Sequence, residues 1–184
     1  LRLFDCSLET DGAAALVVTS LERARDLVDS PVVLYGIGEG HGSPPTSITQ
    51  KRDMAELEGV RLAGERAFGM AGAGPSDMDC AQVYDGFTWL VLGALEALGF
   101  CAKGEGGAFV QDGRIELGGD LPINTSGGLL SEGHCSGANL LTEAVRQLRC
   151  EVEPERQVPD CRRVLVTGEG DFHEGSAVIL GSVE

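Results

Sequence analysis

The sequence predicts an α/β fold in which layers of helix cover a sheet. Apolar runs of strand length alternate along the chain with segments whose apolar residues recur at helical spacing. Of the 184 residues, 42% are hydrophobic and 23% are charged, which is typical of a globular domain with a core. The length fits one domain. No membrane span is expected, because even the longest apolar runs are far shorter than a membrane helix.

The first hundred residues are predicted to contain three strands and three helices. Ala13 to Thr19 is an apolar run of strand length, and Ser20 offers an N-terminal cap for the short helix after it. Residues 39–50 contain Gly, Pro, Ser and Thr without periodicity, which indicates a loop. The predicted strands are 13–19, 32–38 and 80–83, and the predicted helices are 21–29, 54–70 and 88–98.

The second part of the chain begins with a predicted hairpin over 104–119, with Asp112-Gly113 as its tight turn. An amphipathic helix follows His134, since its apolar residues share one face and its charged residues the other. The chain is predicted to close with strands 163–166 and 176–180, joined by a glycine-rich turn.

Charge and cysteine usage exclude several kinds of protein. With 14 basic and 29 acidic residues the net charge is −15, so a nucleic-acid partner is not expected. The six cysteines have long, irregular spacings without a CxxC pair, which argues against a metal site. We expect reduced thiols, several of them buried, and a cytoplasmic location. No cationic, apolar leader opens the sequence, so secretion is not expected. Because the sequence starts at Leu1 rather than Met and soon enters the apolar run AAALVV, we expect a fragment.

Three turns that end apolar strands carry reactive side chains: 84–87, 124–137 and 167–175. The second is the strongest candidate, because its glycines, among them Gly128, Gly133 and Gly137, would let the backbone approach a ligand closely. His134 lies where this loop enters a helix. A neutral imidazole there could donate to a thioester oxygen or accept a proton, or it could simply brace the turn.

NTSGGLLSEGHCSGAN followed by LLTEAVRQL resembles the glycine-rich loop and helix of the thiolase superfamily, above all its sterol-carrier-type thiolases and lipid-transfer-protein enzymes. DCSLETDGAAALVVTS resembles the entry into the family's C-terminal half. YDGF lies where thiolases carry an Asn-Glu-Ala-Phe or His-Asp-Cys-Phe tetrad, and VTGEGDFHEGSAVIL lies where they carry a Cys-X-Gly-Gly-Gly turn and the last strand.

The resemblance implies a five-layer fold of two similar halves. This chain, 1–184, would be the C-terminal half, with layered α-β-α architecture and a mixed five-stranded sheet. His134 matches the histidine that activates the family's nucleophilic cysteine, which lies in the other half. Asn124, Gly128, Gly133 and Gly137 would then contact the substrate.

Two departures from the thiolase pattern change the expected reaction. Tyr84 replaces the first residue of the tetrad, and Val166 replaces the second cysteine, so the base for Claisen chemistry is missing. Tyrosine at the tetrad is similar to a branch that cleaves steroid side-chain CoA thioesters by a retro-aldol reaction. Tyr84, with a pKa lowered by its neighbours, would be the base, and His134 would donate to the enolate.

Retro-aldol cleavage of a steroid or lipid β-hydroxyacyl-CoA is therefore the expected activity. A true thiolase that uses a cysteine of the other half, or a non-catalytic lipid or acyl-CoA binding subunit, are the alternatives. The resemblance implies an acyl-CoA substrate, coenzyme A only as part of that substrate, no tightly bound cofactor, a homodimer and an OB-fold, zinc-ribbon partner. The net charge is unfavourable for polyanionic coenzyme A, whose site would need a local basic patch or sequence outside this chain.

Four further polar residues receive structural interpretations. Asp85 is expected to cap the helix that begins near Gly86, although it could orient Tyr84. Glu132 takes the place of a second tyrosine of the aldolase branch and is expected to be solvated. His41 is expected in a surface loop, and His173, near Asp171 and Glu174, in a flexible polar turn rather than a metal site.

Overall fold

The computed structural model describes residues 1–42, 53–170 and 173–183. The helices are α1 (Leu21–Leu27), α2 (Glu58–Ala71), α3 (Thr88–Ala97), α4 (Gly106–Phe109), α5 (Gly128–Ser131) and α6 (Ala138–Arg149). The strands are β1 (Val32–His41), β2 (Cys80–Gln82), β3 (Arg163–Gly170) and β4 (Glu174–Ser182). Short 3-10 turns lie at Leu3–Asp5 and Pro75–Asp77.

The strands form one mixed sheet with the order β1-β4-β3-β2. β4 is antiparallel to both of its neighbours, and β2 is parallel to β3. Beyond β2, a single parallel bridge joins Ala81 to Ile123, where a fifth strand would lie. The α/β class and the mixed sheet are confirmed, whereas the predicted count of five strands is wrong because pairing at this edge stops after one bridge.

Helices cover both faces of the sheet, which gives the predicted α-β-α layers. Alternate strand residues point to opposite faces: Leu165 and Ile179 belong to the core beneath α2 and α3, and Val164 and Leu180 to the core beneath α6. On the first face α2 comes so close that a side chain on Gly38 would meet the backbone of Ala63. Because β3 contributes residues to both cores, its position is fixed from both faces of the sheet.

Most predicted elements are confirmed with shifted ends. Ser20 caps α1 by accepting a hydrogen bond from the amide of Arg23 at 3.4 Å. α2 begins at Glu58, four residues later than predicted, and β1 continues to His41. Residues 39–41 are therefore strand rather than loop, while 43–50 lie outside the described residues. The predicted final turn is also partly strand, since β3 extends to Gly170 and β4 starts at Glu174.

The predicted strand at 13–19 is wrong. These residues have no regular structure, and Val17 and Val18 are 90% and 89% exposed. An apolar run becomes a strand only where a neighbouring strand accepts its backbone hydrogen bonds. The sheet consists of β1, β4, β3 and β2, and among the described residues none of these strands pairs with residues 13–19.

The predicted hairpin over 104–119 is also wrong. The segment forms α4 and a series of turns, although Asp112 and Gly113 do take positive φ values of 59° and 75°. The turn chemistry was thus correctly predicted, but the flanking residues fold back through local bonds, such as the amide of Gly119 to the carbonyl of Glu116 at 2.9 Å. A tight turn without alternating apolar residues on both sides does not make a hairpin.

Candidate active site

Three side chains form a hydrogen-bonded line at the end of β2. Tyr84 Oη lies 2.9 Å from His134 Nε2, and His134 Nδ1 lies 2.9 Å from Ser7 Oγ. The two rings meet edge to face, with centroids 5.7 Å apart. Since both imidazole nitrogens have partners, the ring is fixed in orientation, and its Nε2 lies within hydrogen-bond distance of the phenol.

Tyr84 is positioned through its backbone and that of the preceding residue. Its amide donates to Thr167 Oγ1 of β3 at 2.9 Å. Asn124 holds Val83 on both sides, accepting from its amide at 2.7 Å and donating to its carbonyl at 2.8 Å. Asn124 itself has φ 51°, a left-handed conformation that asparagine tolerates better than most residues. Both polar atoms of this side chain are thus bonded to the backbone of Val83. The predicted contact of Asn124 with substrate stays a prediction.

Asp85 connects the tetrad to the glycine-rich loop. Its carboxylate accepts from the amide of Leu129 at 2.7 Å and from that of Leu130 at 3.4 Å, so it caps α5. The predicted capping of the helix near Gly86 is wrong: α3 has Phe87 as its N-cap, with no side-chain cap bond. Asp85 does cap a helix, but the helix is α5 and not α3, because a carboxylate can accept from any nearby free amides, including those of a helix distant in sequence.

Gly128 needs to be glycine at this junction. Its φ of 63° disfavours any side chain, and a Cβ atom would collide with Asp85 Oδ2 and lie 2.7 Å from Asn124 Nδ2. Gly133 lies beside Thr10, and Gly137 is the N-cap of α6, where its α-carbon faces the Tyr84 ring. The structure therefore brings Gly128 and Gly137 next to the tetrad. Their contact with substrate, like that of Gly133, stays a prediction.

The first residues of the chain pack against the tetrad and the glycine-rich loop. The amide of Ser7 donates to the carbonyl of Gly86 at 3.0 Å, and isolated bridges join Cys6 to Phe87 and Glu9 to His134. This segment thus lies between the tetrad and the loop, and it carries the hydroxyl that bonds to His134. Ser7 and Thr167 could not be identified from the sequence, because nothing in their local patterns indicates contacts 127 and 83 residues away.

The electrostatic environment keeps Tyr84 protonated. Partial burial raises its pKa above the usual value, and the negative charges of Glu169 and Asp85 raise it further. The expected lowering of this pKa is therefore wrong in direction. The pKa of Asp85 is also raised, because burial of its carboxylate outweighs the hydrogen bonds it accepts. A phenol in this setting acts as a base only if another group takes its proton, and His134 is in contact to do so.

Other residues considered from the sequence lie apart from this line. Val166 is buried in the core beneath α6. Glu132 is exposed but bonded, since its Oε2 accepts from Ser126 Oγ at 2.7 Å and from Asn139 Nδ2 at 3.0 Å. His41 ends β1 instead of lying in a loop, 3.7 Å from Glu174 across the sheet. His173 lies in the turn before β4, and Asp171 lies outside the described residues.

Within the described ranges, no group of three His, Cys, Asp or Glu side chains is arranged to hold a metal ion.

All six cysteines are free thiols. Cys80 is the buried one, so the expectation that several would be buried is wrong. None of the helices described is both long and apolar enough to cross a membrane.

Comparison with known proteins places these features in context. Residues 40–182 match the family described as "Thiolase C-terminal domain-like". The chain is 42% identical over 184 residues to the steroid side-chain-cleaving aldolase of Thermomonospora curvata, covering 99% of this chain and 46% of that protein. It is 46% identical over 185 residues to the 17-hydroxy-3-oxo-4-pregnene-20-carboxyl-CoA lyase of Mycobacterium tuberculosis, covering 98% of this chain and 47% of that protein.

A solved structure of the Ltp2-ChsH2(DUF35) aldolase superposes with a TM-score of 0.91 at 42% identity, covering 99% of this chain and 47% of that one. The chain therefore spans about half the length of the relatives it matches.

Proposed function

Because the chain belongs to the thiolase superfamily, through its thiolase C-terminal-like domain, we propose that it is the C-terminal half of an enzyme that cleaves β-hydroxyacyl-CoA thioesters by a retro-aldol reaction. The acyl group would be a steroid or lipid side chain, as the names of the two relatives suggest for those proteins. The observation that carries the proposal is the 2.9 Å hydrogen bond between Tyr84 Oη and His134 Nε2.

The pair acts as one base. The proton of the substrate's β-hydroxyl passes to Tyr84 Oη while the phenol proton passes to His134 Nε2. The electrons of the O–H bond form the carbonyl of a ketone, the bond between Cα and Cβ breaks, and its electrons become the thioester enolate. The proton returns from the imidazolium through Tyr84 to Cα, which yields a ketone and a CoA thioester and restores the pair.

This mechanism accommodates the raised pKa of Tyr84. A neutral phenol transfers a proton only when it can pass its own onward, and neutral His134 is positioned to receive it. The imidazolium that forms is a positive charge beside the developing enolate, and a fixed charge at that place stabilises it. Ser7 would accept the hydrogen bond of the opposite imidazole N–H, keeping Nε2 free of its own proton in the resting enzyme.

The substrate would lie over the tetrad, against the loop that contains Gly128, Gly133 and Gly137. The net charge of −15 is unfavourable for the phosphates of coenzyme A. We therefore place their binding on the N-terminal half or on a partner.

We also propose that the full-length protein forms a homodimer and binds a partner with an OB-fold and a zinc ribbon. The Ltp2-ChsH2(DUF35) aldolase, whose name joins two components, supports the search for such a partner. The free thiols are compatible with a cytoplasmic enzyme.

The experiment uses the full-length polypeptide that carries this chain, together with any co-encoded partner. A β-hydroxy steroid CoA thioester is offered in one reaction, and acetoacetyl-CoA with free coenzyme A in another, with products identified by mass. Cleavage of the hydroxy thioester alone supports the proposal. Thiolysis of acetoacetyl-CoA would contradict it in favour of a thiolase, and binding without turnover of either would indicate a binding subunit.

A further inference from the structure

A buried polar cluster lies between α6 and the sheet, away from the Tyr84–His134 line. We call it the Glu143 cluster; its members are Gln82, Thr125, Glu143, Gln147 and Arg156. Glu143 is only 3% exposed, and the side chains of Gln82 and Gln147 are fully buried. Ionisable and amide groups are expensive to bury unless their bonds are satisfied, so a cluster of this kind holds its members in one arrangement.

Glu143 is the acceptor at the centre of the cluster. Its Oε1 accepts from Thr125 Oγ1 at 2.6 Å, from Arg156 Nη1 at 2.9 Å and from Gln147 Nε2 at 3.0 Å. Arg156 closes the cluster at the surface, where Glu153 holds its outer edge with an Nη2 to Oε2 distance of 2.5 Å. The carboxylate is thus paired with a cation and receives two further neutral donors.

Thr125 is fixed at both its side chain and its backbone. While its hydroxyl donates to Glu143, the same oxygen accepts from Gln82 Nε2 and from Gln147 Nε2, each at 3.0 Å. A hydroxyl has one proton and two lone pairs, so its bonding capacity is used completely. Its carbonyl accepts from Arg156 Nη1 at 3.0 Å. No small shift of Thr125 leaves all these bonds intact.

Three connections join the cluster to the segments that carry the site. Asn124, next to Thr125, clamps the amide and carbonyl of Val83, the residue before Tyr84. Gln82 lies two residues before Tyr84 on β2. Glu143 and Gln147 belong to α6, the helix that follows the His134 loop. The cluster therefore joins the segment that carries the phenol to the element that follows the imidazole.

We propose that Glu143, acting through Thr125, is a positioning residue that sets the distance between Tyr84 and His134. The inference rests on the proposed function, because it assigns a catalytic purpose to that distance. If the cluster only stabilises the fold, substitutions in it should change stability and leave the distance between Tyr84 and His134, and therefore kcat, unchanged. Stability alone is not a reason to keep such a cluster, since apolar residues of similar volume commonly replace buried ion pairs without loss of stability.

The test compares Thr125→Val with Thr125→Ser in the full-length polypeptide. Valine keeps the shape but removes the hydroxyl, whereas serine keeps the hydroxyl. Displacement of catalytic groups by about 1 Å can cost on the order of 100-fold in rate, so we expect kcat to fall at least about 10-fold in the valine variant. KM should stay unchanged, and the serine variant should return kcat to near the wild-type value. Glu143→Gln should reproduce the kcat effect, because it removes the charge that pairs with Arg156.

Ile179→Val provides a matched stability control. Ile179 is fully buried in the core on the opposite face of the sheet, and the loss of one methyl group lowers stability without altering the Glu143 cluster. Wild-type kcat in Thr125→Val, or an equal loss of kcat in Ile179→Val, would overturn the proposal.

A second readout is independent of turnover. The ¹⁵N chemical shift of His134 Nε2, assigned by its loss in His134→Gln, reports the hydrogen bond to Tyr84. We expect the shift to change in Thr125→Val and to be retained in Thr125→Ser. If the wild-type enzyme cleaves no hydroxy thioester, the proposed function fails, but this result still decides whether the cluster positions the pair. An unchanged shift in Thr125→Val would overturn the positioning role.

Discussion

The hydroxyl of Tyr84 and Nε2 of His134 lie 2.9 Å apart, although 50 residues separate them in the sequence. Neither side chain reaches this position by local structure alone. Asn124 and Thr167 hold the backbone around Tyr84, and Ser7 holds the far side of the imidazole. The contact therefore reports the whole arrangement of the site, and several substitutions should alter it in distinct ways.

Replacing His134 with alanine should reduce turnover by roughly 100-fold or more, since the phenol then has no group to take its proton. The measurement is kcat for cleavage of the hydroxy thioester, with the melting temperature recorded alongside. Full activity combined with a lower melting temperature would mean that the histidine only braces the loop.

Ser7→Ala should lower kcat less than His134→Ala does, because the imidazole keeps Tyr84 as a partner but loses the bond that selects its tautomer. Ser7→Thr retains a hydroxyl and serves as the control. The measurement is kcat of both variants, and we expect a higher kcat in Ser7→Thr than in Ser7→Ala. Equal values would show that the hydroxyl at Ser7 does not act on His134.

Glu169→Gln should lower the pKa of Tyr84, because it removes one of the negative charges that raise it. The observable is the ultraviolet absorbance of tyrosinate during an alkaline titration, with the corresponding titration of a Tyr84→Phe background subtracted. A titration unchanged in Glu169→Gln would mean that this charge does not reach the phenol.

The same shift has a consequence for stability. A tyrosine whose pKa is raised by folding contributes stability that is present below its unfolded pKa of about 10 and is lost as the pH rises beyond that value. Stability of the wild-type protein should therefore fall above about pH 10, and Tyr84→Phe should reduce that fall. Denaturant unfolding at a series of pH values measures both curves, and parallel curves would contradict the raised pKa.

Gly128→Ala should destabilise the protein by more than the roughly 1–2 kcal/mol of left-handed backbone strain, since its Cβ would also collide with Asp85. Gly118→Ala is the matched control, because Gly118 has φ 86° but open space where its Cβ would lie. Denaturant unfolding of both variants separates strain from collision. Equal losses would show that the loop yields to the added methyl group.

The layered α/β architecture could be predicted from the sequence because α2 and α6 carry apolar residues at helical spacing, α3 is an apolar run too long for a typical strand, and β3 and β4 are shorter apolar runs. The run at 13–19 has the same local signal but no partner strand, and pairing is a property of the whole fold. Of the site, Tyr84 and His134 were predictable from their place in motifs. Ser7, Thr167 and the Glu143 cluster were not, since their roles come from contacts between distant segments.

Single-turnover cleavage of a β-hydroxy steroid CoA thioester by the full-length Tyr84→Phe variant tests whether Tyr84 accepts the proton of the substrate. The substitution removes one oxygen atom and leaves the ring, so the variant should fold with the wild-type melting temperature. We expect that substrate still binds and that no ketone is released, because the β-hydroxyl has lost its proton acceptor. Ketone release at the wild-type rate would contradict the account and remove Tyr84 from the chemistry.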